Sequence, residues 1–136
     1  MDDKVAQALA RFLVIRTCGY VEQVVEECSK AYLAGNSYDN RCISFTSSWF
    51  GRGRNPTPAT LIELVKRFDP NWAGELEDLL TNEDELLARE MEFLVDRRNR
   101  IAHGLNEGVN QGKALSLVHH ANSVAEWFIS TFDPRS

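Results

Sequence analysis

The chain has 136 residues, enough for one hydrophobic core and too few for two of comparable size, so a single domain over residues 1–136 is expected. Its net charge of −5 excludes a polycationic nucleic-acid coat, and 43% hydrophobic with 10% aromatic content excludes an intrinsically disordered chain. The longest uninterrupted apolar run, Phe12 to Ile15, is four residues, far short of the ~20 that a membrane-spanning helix needs, so no membrane contact is expected. Met1-Asp2-Asp3-Lys4 is acidic and lacks the charged, apolar and small-residue regions of a secretory signal, which predicts a cytoplasmic protein. Cys18, Cys28 and Cys42 are odd in number and have no zinc or redox spacing, so they read as inert reduced thiols.

From Val5 to Leu33 the apolar residues recur three and four apart, which predicts a long first helix. Gly19 interrupts this pattern at a cost of about 1 kcal/mol relative to alanine, consistent with close packing or a bend. Gly35-Asn36-Ser37 supplies a helix stop. A short helix is predicted between Asn40 and Trp49, followed by an exposed loop from Phe50 to Pro56. Thr57-Pro58 places a capping hydroxyl before a proline and opens a helix through Leu61, Leu64, Val65 and Phe68, which Asp69-Pro70-Asn71 stops. Another short helix is predicted from Trp72 to Leu80. The acids of Thr81-Asn82-Glu83-Asp84-Glu85 would then cap the next one, which runs to about His103. Gly104, Gly108 and Gly112 bracket a polar connection to a final amphipathic helix that carries Ala114 to Phe132 and ends at Asp133-Pro134. No strand is predicted. The fold class is all-α, an antiparallel helical bundle with a long first helix.

Chemistry concentrates in Asp96-Arg97-Arg98-Asn99-Arg100-Ile101-Ala102-His103-Gly104. With Leu87 at zero and about 100° per residue, Met91, Leu94, Val95, Ile101 and Ala102 form one apolar stripe, and Arg98 falls at about 20°, inside it. Arg97 and Arg100 point away toward solvent. A guanidinium on a buried stripe must meet a carboxylate or line a cleft that binds an anion; Glu22 is a candidate partner if the first helix lies beside this one. His103 shares a face with Asn99 but lies about 140° from Arg98, so one straight helix does not converge Arg98 and His103. A two-fold axis would bring two copies of Arg98, Asn99 and His103 around one cleft.

Arg98-Asn99-Arg100-Ile101-Ala102-His103-Gly104 resembles the Arg-x4-6-His signature of HEPN domains, with the polar residue that commonly follows the arginine. Cys18-Gly19-Tyr20-Val21-Glu22, the Trp72 region and the order of helices are similar to the RiboL-PSP-HEPN subgroup, over nearly the whole chain. The resemblance implies a helical homodimer whose paired motifs form an endoribonuclease site of toxin or host-defence type, with no metal or other cofactor. His103 would act as general acid or base, Arg98 would hold the phosphate, and Asn99 would position either. Arg97 and Arg100 beside them are candidate RNA contacts. The implied partners are RNA, tRNA included, a second copy of the chain, and an antitoxin or regulatory protein. Leu105 stands where some HEPN toxins carry a tyrosine that a partner antitoxin modifies, so that mode of control is not expected. The alternative is a catalytically silent HEPN module that binds nucleotide, RNA or a protein.

Arg52, Arg54, Lys66 and Arg67, near Trp49 and Phe50, read as a solvated loop with core anchors, and His119-His120 as a surface or packing pair.

Overall fold

The computed structural model describes residues 3–36, 39–41, 55–105 and 108–133. Helix α1 spans Asp3–Gly35 and runs through Gly19 without interruption. It buries Ala10, Val14, Cys18, Val21, Val25 and Leu33 along one side. Two hydroxyls share that side, Thr17 and Ser29, and each donates to the carbonyl four residues earlier, at 2.6 and 2.8 Å. This back-bonding satisfies them without a cross-helix partner. Asn36 closes the helix by donating its amide group to the Tyr32 carbonyl at 2.8 Å. The helix predicted between Asn40 and Trp49 and the loop that follows lie outside the described residues, apart from Asn40, Arg41, Asn55 and Pro56.

Helix α2 (Pro58–Phe68) starts as its sequence dictates: the Thr57 hydroxyl accepts from the Thr60 N–H and Pro58 occupies the first position. Asp69 both ends α2, donating its N–H to the Val65 carbonyl, and caps α3 (Pro70–Ala102) by accepting the Asn71 N–H at 2.8 Å. The Asp-Pro pair thus stops one helix and starts the next within a single residue.

Helix α3 carries a kink at 82–85, where the sequence predicts a boundary between two helices. The acids there do not form a helix cap. Asn82 is extended and Glu83, Asp84 and Glu85 take φ of 53°, 60° and 60°. Left-handed backbone costs a non-glycine residue about 1–2 kcal/mol, so the kink is held by the packing of its two arms, 70–81 and 86–102.

Helix α4 (Gln111–Thr131) begins at Asn110, whose side chain accepts from the Lys113 N–H at 2.7 Å. It lies parallel to α1: Leu13 adjoins Ala114 and Leu115, Tyr20 meets Asn122, and Tyr32 meets Phe132. It is antiparallel to α3, with Trp72 against Phe132 and Glu90 against Lys113. The core between these helices holds Val14, Val21, Val25, Leu61, Leu76, Leu80, Met91, Leu94, Leu117 and Phe128. Tyr32, Phe68, Trp72 and Phe132 close one end with ring centroids 5.1–5.9 Å apart. The all-α prediction holds, and among the described residues no helix is long and apolar enough to cross a membrane.

Candidate functional site

The second arm of α3 presents Met91, Leu94 and Val95 to the core, the stripe that its spacing requires. Leu87 and Ile101 are half-buried at its ends, and Ala102 is exposed, a departure from the helical-wheel expectation. Ala102 is the last residue of the helix, at the open end of α3.

Arg98 stands within the stripe and meets a carboxylate. Its Nη1 donates to Glu22 Oε1 of α1 at 2.8 Å, with the two side chains only 20% and 25% exposed. Its Nη2 donates to Asn55 Oδ1 at 2.6 Å and its Nε to Asn99 Oδ1 at 3.0 Å. Three elements therefore fix one guanidinium. Of its five N–H groups, three are spent on these contacts and two, one on each Nη, remain among the described residues. Asn55 was absent from the sequence reading, which placed it in an exposed loop. The signal available was the flanking proline pair: Pro56 and Pro58 are buried and fix the backbone on which Asn55 stands.

Cys18 Sγ lies 3.8 Å from Glu22 Oε1 on the buried side of this cluster. Burial pushes its thiol up to about 12; the Arg98 charge opposes the rise and the Glu22 carboxylate adds to it. Cys18 is thus an uncharged packing group at neutral pH, as read from sequence. Burial also raises Cys28, with Glu27 contributing. Cys42 lies outside the described residues.

His103 is the last residue of the α3 cap, and its side chain is exposed. Its position is set by backbone: Gly104 donates to the Ile101 carbonyl and Leu105 to the Arg100 carbonyl, both at 3.0 Å, with Gly104 at φ 75°. This is the hydrogen-bond pattern of a Schellman terminus, which needs a left-handed residue after the cap. A Cβ on Gly104 would meet nothing within 4 Å, so the cost of adding one is torsional alone. Gly104→Ala is expected to lower stability by about 1 kcal/mol in urea denaturation and to loosen the ring of His103. Within one chain, Arg98 is brought to Asn99, Glu22 and Asn55, and the structure gives it no contact with His103.

Arg97 and Arg100 occupy a different environment from Arg98. Arg100 pairs with Asp96 at 3.0 Å on the surface. Arg97 does not project into solvent as the helical wheel implied. It is half-buried and stacks over the Phe93 ring at 4.7 Å, while Lys113 covers the same ring at 4.6 Å and pairs with Glu90. The start of α4 packs on this side of α3 and creates the shelf. Arg67 pairs with Glu63 on the surface of α2, whereas Trp49, Phe50, Arg52 and Arg54 lie outside the described residues. His119 and His120 line a cleft of about 240 Å³ with Leu79, Asn82 and Glu83, and the described residues contain no metal-holding group of three or more His, Cys, Asp or Glu.

With this geometry in place, comparison with known proteins decides the family. The RiboL-PSP-HEPN family model matches residues 1–132, a span that contains α1 through α4 and the Arg98–His103 segment. The chain belongs to this family. No curated protein and no solved structure matched. HEPN domains include ribonucleases and nucleotide-binding modules, and they often bind RNA or dimerise. In this HEPN chain the Arg-x4-His segment spans the end of α3, with its arginine anchored to α1 and its histidine at the helix terminus.

Proposed function

We propose that this HEPN protein is a metal-independent endoribonuclease of toxin or host-defence type, acting in the cytoplasm at a site that two copies of the chain complete. The observation that carries the reading is the fixed guanidinium of Arg98, which keeps two N–H donors beyond its three contacts among the described residues. The phosphodiester anion, and still more the phosphorane that gathers a second negative charge, is stabilised by such a preorganised donor pair.

In the proposed reaction the ribose 2′-oxygen attacks the adjacent phosphorus. The O2′–P bond forms, the P–O5′ bond breaks, and the products end in a 2′,3′-cyclic phosphate and a 5′-hydroxyl. The 2′ proton goes to a base and the leaving 5′-oxygen takes a proton from an acid. His103 supplies one of these roles; an exposed imidazole at a helix end can reach a bound strand and exchange a proton with it. Arg98 carries the developing negative charge, and Asn99, whose oxygen is engaged by Arg98, offers its amide N–H₂ to a phosphate oxygen. Arg97 and Arg100 flank the strand. Control by an antitoxin or other regulatory protein belongs to the same reading.

A second reading has its own support: Glu22 already matches the charge of Arg98, which suits a silent module that binds nucleotide, RNA or a protein. Incubating the purified protein with total RNA and tRNA in chelator separates the two. The ribonuclease reading expects fragments with 2′,3′-cyclic phosphate ends. Intact RNA together with retained RNA or nucleotide binding would favour the silent module, and activity restored only by added metal would contradict the metal-independent chemistry.

A further inference from the structure

Arg98 has donors only, and this fixes the orientation of the two amides that touch it. Asn55 and Asn99 each turn Oδ1 toward the guanidinium, at 2.6 Å from Nη2 and 3.0 Å from Nε. Each Nδ2 therefore lies one amide width from the guanidinium, and neither has an acceptor among the described residues. Glu22 takes another side of the guanidinium through Nη1 at 2.8 Å. Three side chains thus bring spare N–H groups to one place: Arg98, Asn99 beside it on α3, and Asn55 from the segment that leads into α2.

We infer that Asn55 is a phosphate ligand, its Nδ2 N–H₂ donating to a non-bridging oxygen of the phosphodiester that Arg98 holds. This assignment depends on the proposed function only for the phosphate at Arg98. Arg98 and Glu22 together carry no net charge, so the guanidinium alone attracts an anion less than an unpaired arginine would, and neutral donors around it make up part of the difference. An acceptor for Arg98 and nothing more would be better supplied by a carboxylate, through a charge-assisted bond. An amide instead accepts from Arg98 with one end and donates with the other.

Asn55 is also held in place before any anion arrives. Its carbonyl accepts the Thr57 N–H at 2.8 Å, and Pro56 and Pro58, both buried, restrict the backbone on either side of Thr57. Arg98 clamps the side chain. A donor fixed in this way needs no reorganisation to meet negative charge. Because Arg98 and Asn99 leave α3 together, Asn55 is the group that closes the cradle from a second element.

Fluorescence anisotropy with a 2′-O-methyl RNA octamer, which lacks the attacking hydroxyl, measures binding apart from cleavage, over about 50 to 200 mM NaCl. Asn55→Ala is expected to weaken binding about 10-fold, the scale of a hydrogen bond to a charged group, and to leave the slope of log affinity against log salt unchanged, because a neutral donor releases no counter-ion. Arg98→Ala, which removes a charge, should reduce that slope by about 0.7. Asn55→Asp keeps an oxygen for Arg98 but gives up the N–H₂ group, and should bind at least as weakly as Asn55→Ala; circular dichroism checks that each variant is folded. Wild type without affinity for the octamer, either Asn55 variant binding as wild type does, or Asn55→Ala reducing the slope as far as Arg98→Ala would overturn the inference, the last by making Asn55 only a prop for Arg98. A wild type that binds the octamer through Asn55 and leaves unmodified RNA intact would end the ribonuclease reading alone, and RNA cleavage alongside Asn55 variants that bind as wild type does would end only the role of Asn55.

Discussion

Phe128→Ala is expected to lower the unfolding free energy by about 3–5 kcal/mol, and with it the Tm by roughly 10–20 °C. The ring is fully buried on α4 and stacks against Phe132 at 5.5 Å and edge-on against Trp127 at 5.1 Å. Truncation removes the transfer free energy of the ring and leaves a cavity, because α1, α3 and α4 all pack there and cannot close together. Thermal unfolding followed at 222 nm reads the shift directly. A change below about 1 kcal/mol would mean that the α4 core is far more plastic than its packing implies.

Arg98→Lys and Arg98→Ala are both expected to lower RNA cleavage by at least about 100-fold, the scale set by removing one fixed donor from a charge-stabilising site. Lysine keeps the charge but not the fork. A single ammonium cannot satisfy Glu22, Asn55 and Asn99 from three directions and still address a phosphate. The comparison therefore separates the contribution of geometry from that of charge. Lysine activity near wild type would reduce Arg98 to a counter-ion.

Much of the fold is legible in the sequence because its helix signals are local. Thr57-Pro58 and the three- and four-residue apolar spacing of α1 each rest on contacts within a few residues, and the structure follows them. The pairing of Arg98 with Glu22 was accessible in part, since a guanidinium on an apolar stripe demands an anion; that the anion comes from α1 depends on helix packing. Asn55 was legible only in part: Pro56 and Pro58 fix the backbone beside it, but its contact with Arg98 of α3 depends on tertiary packing. The stacking of Arg97 on Phe93 also escaped the helical wheel, which places residues around one helix but knows nothing of Lys113 arriving from α4. At 82–85 the sequence marks a boundary, but three successive acids in left-handed conformation run against local preference and are set by the packing of the two arms.

The most direct test of the account is the cleavage of tRNA in chelator by wild type and by His103→Ala, compared at equal concentration after both are shown to be folded. The imidazole is exposed, so the variant should match wild type in stability. The account predicts cyclic-phosphate-ended fragments from wild type and a rate at least about 100-fold lower from the variant. Equal rates from the two proteins would contradict it, and would remove His103 from the reaction.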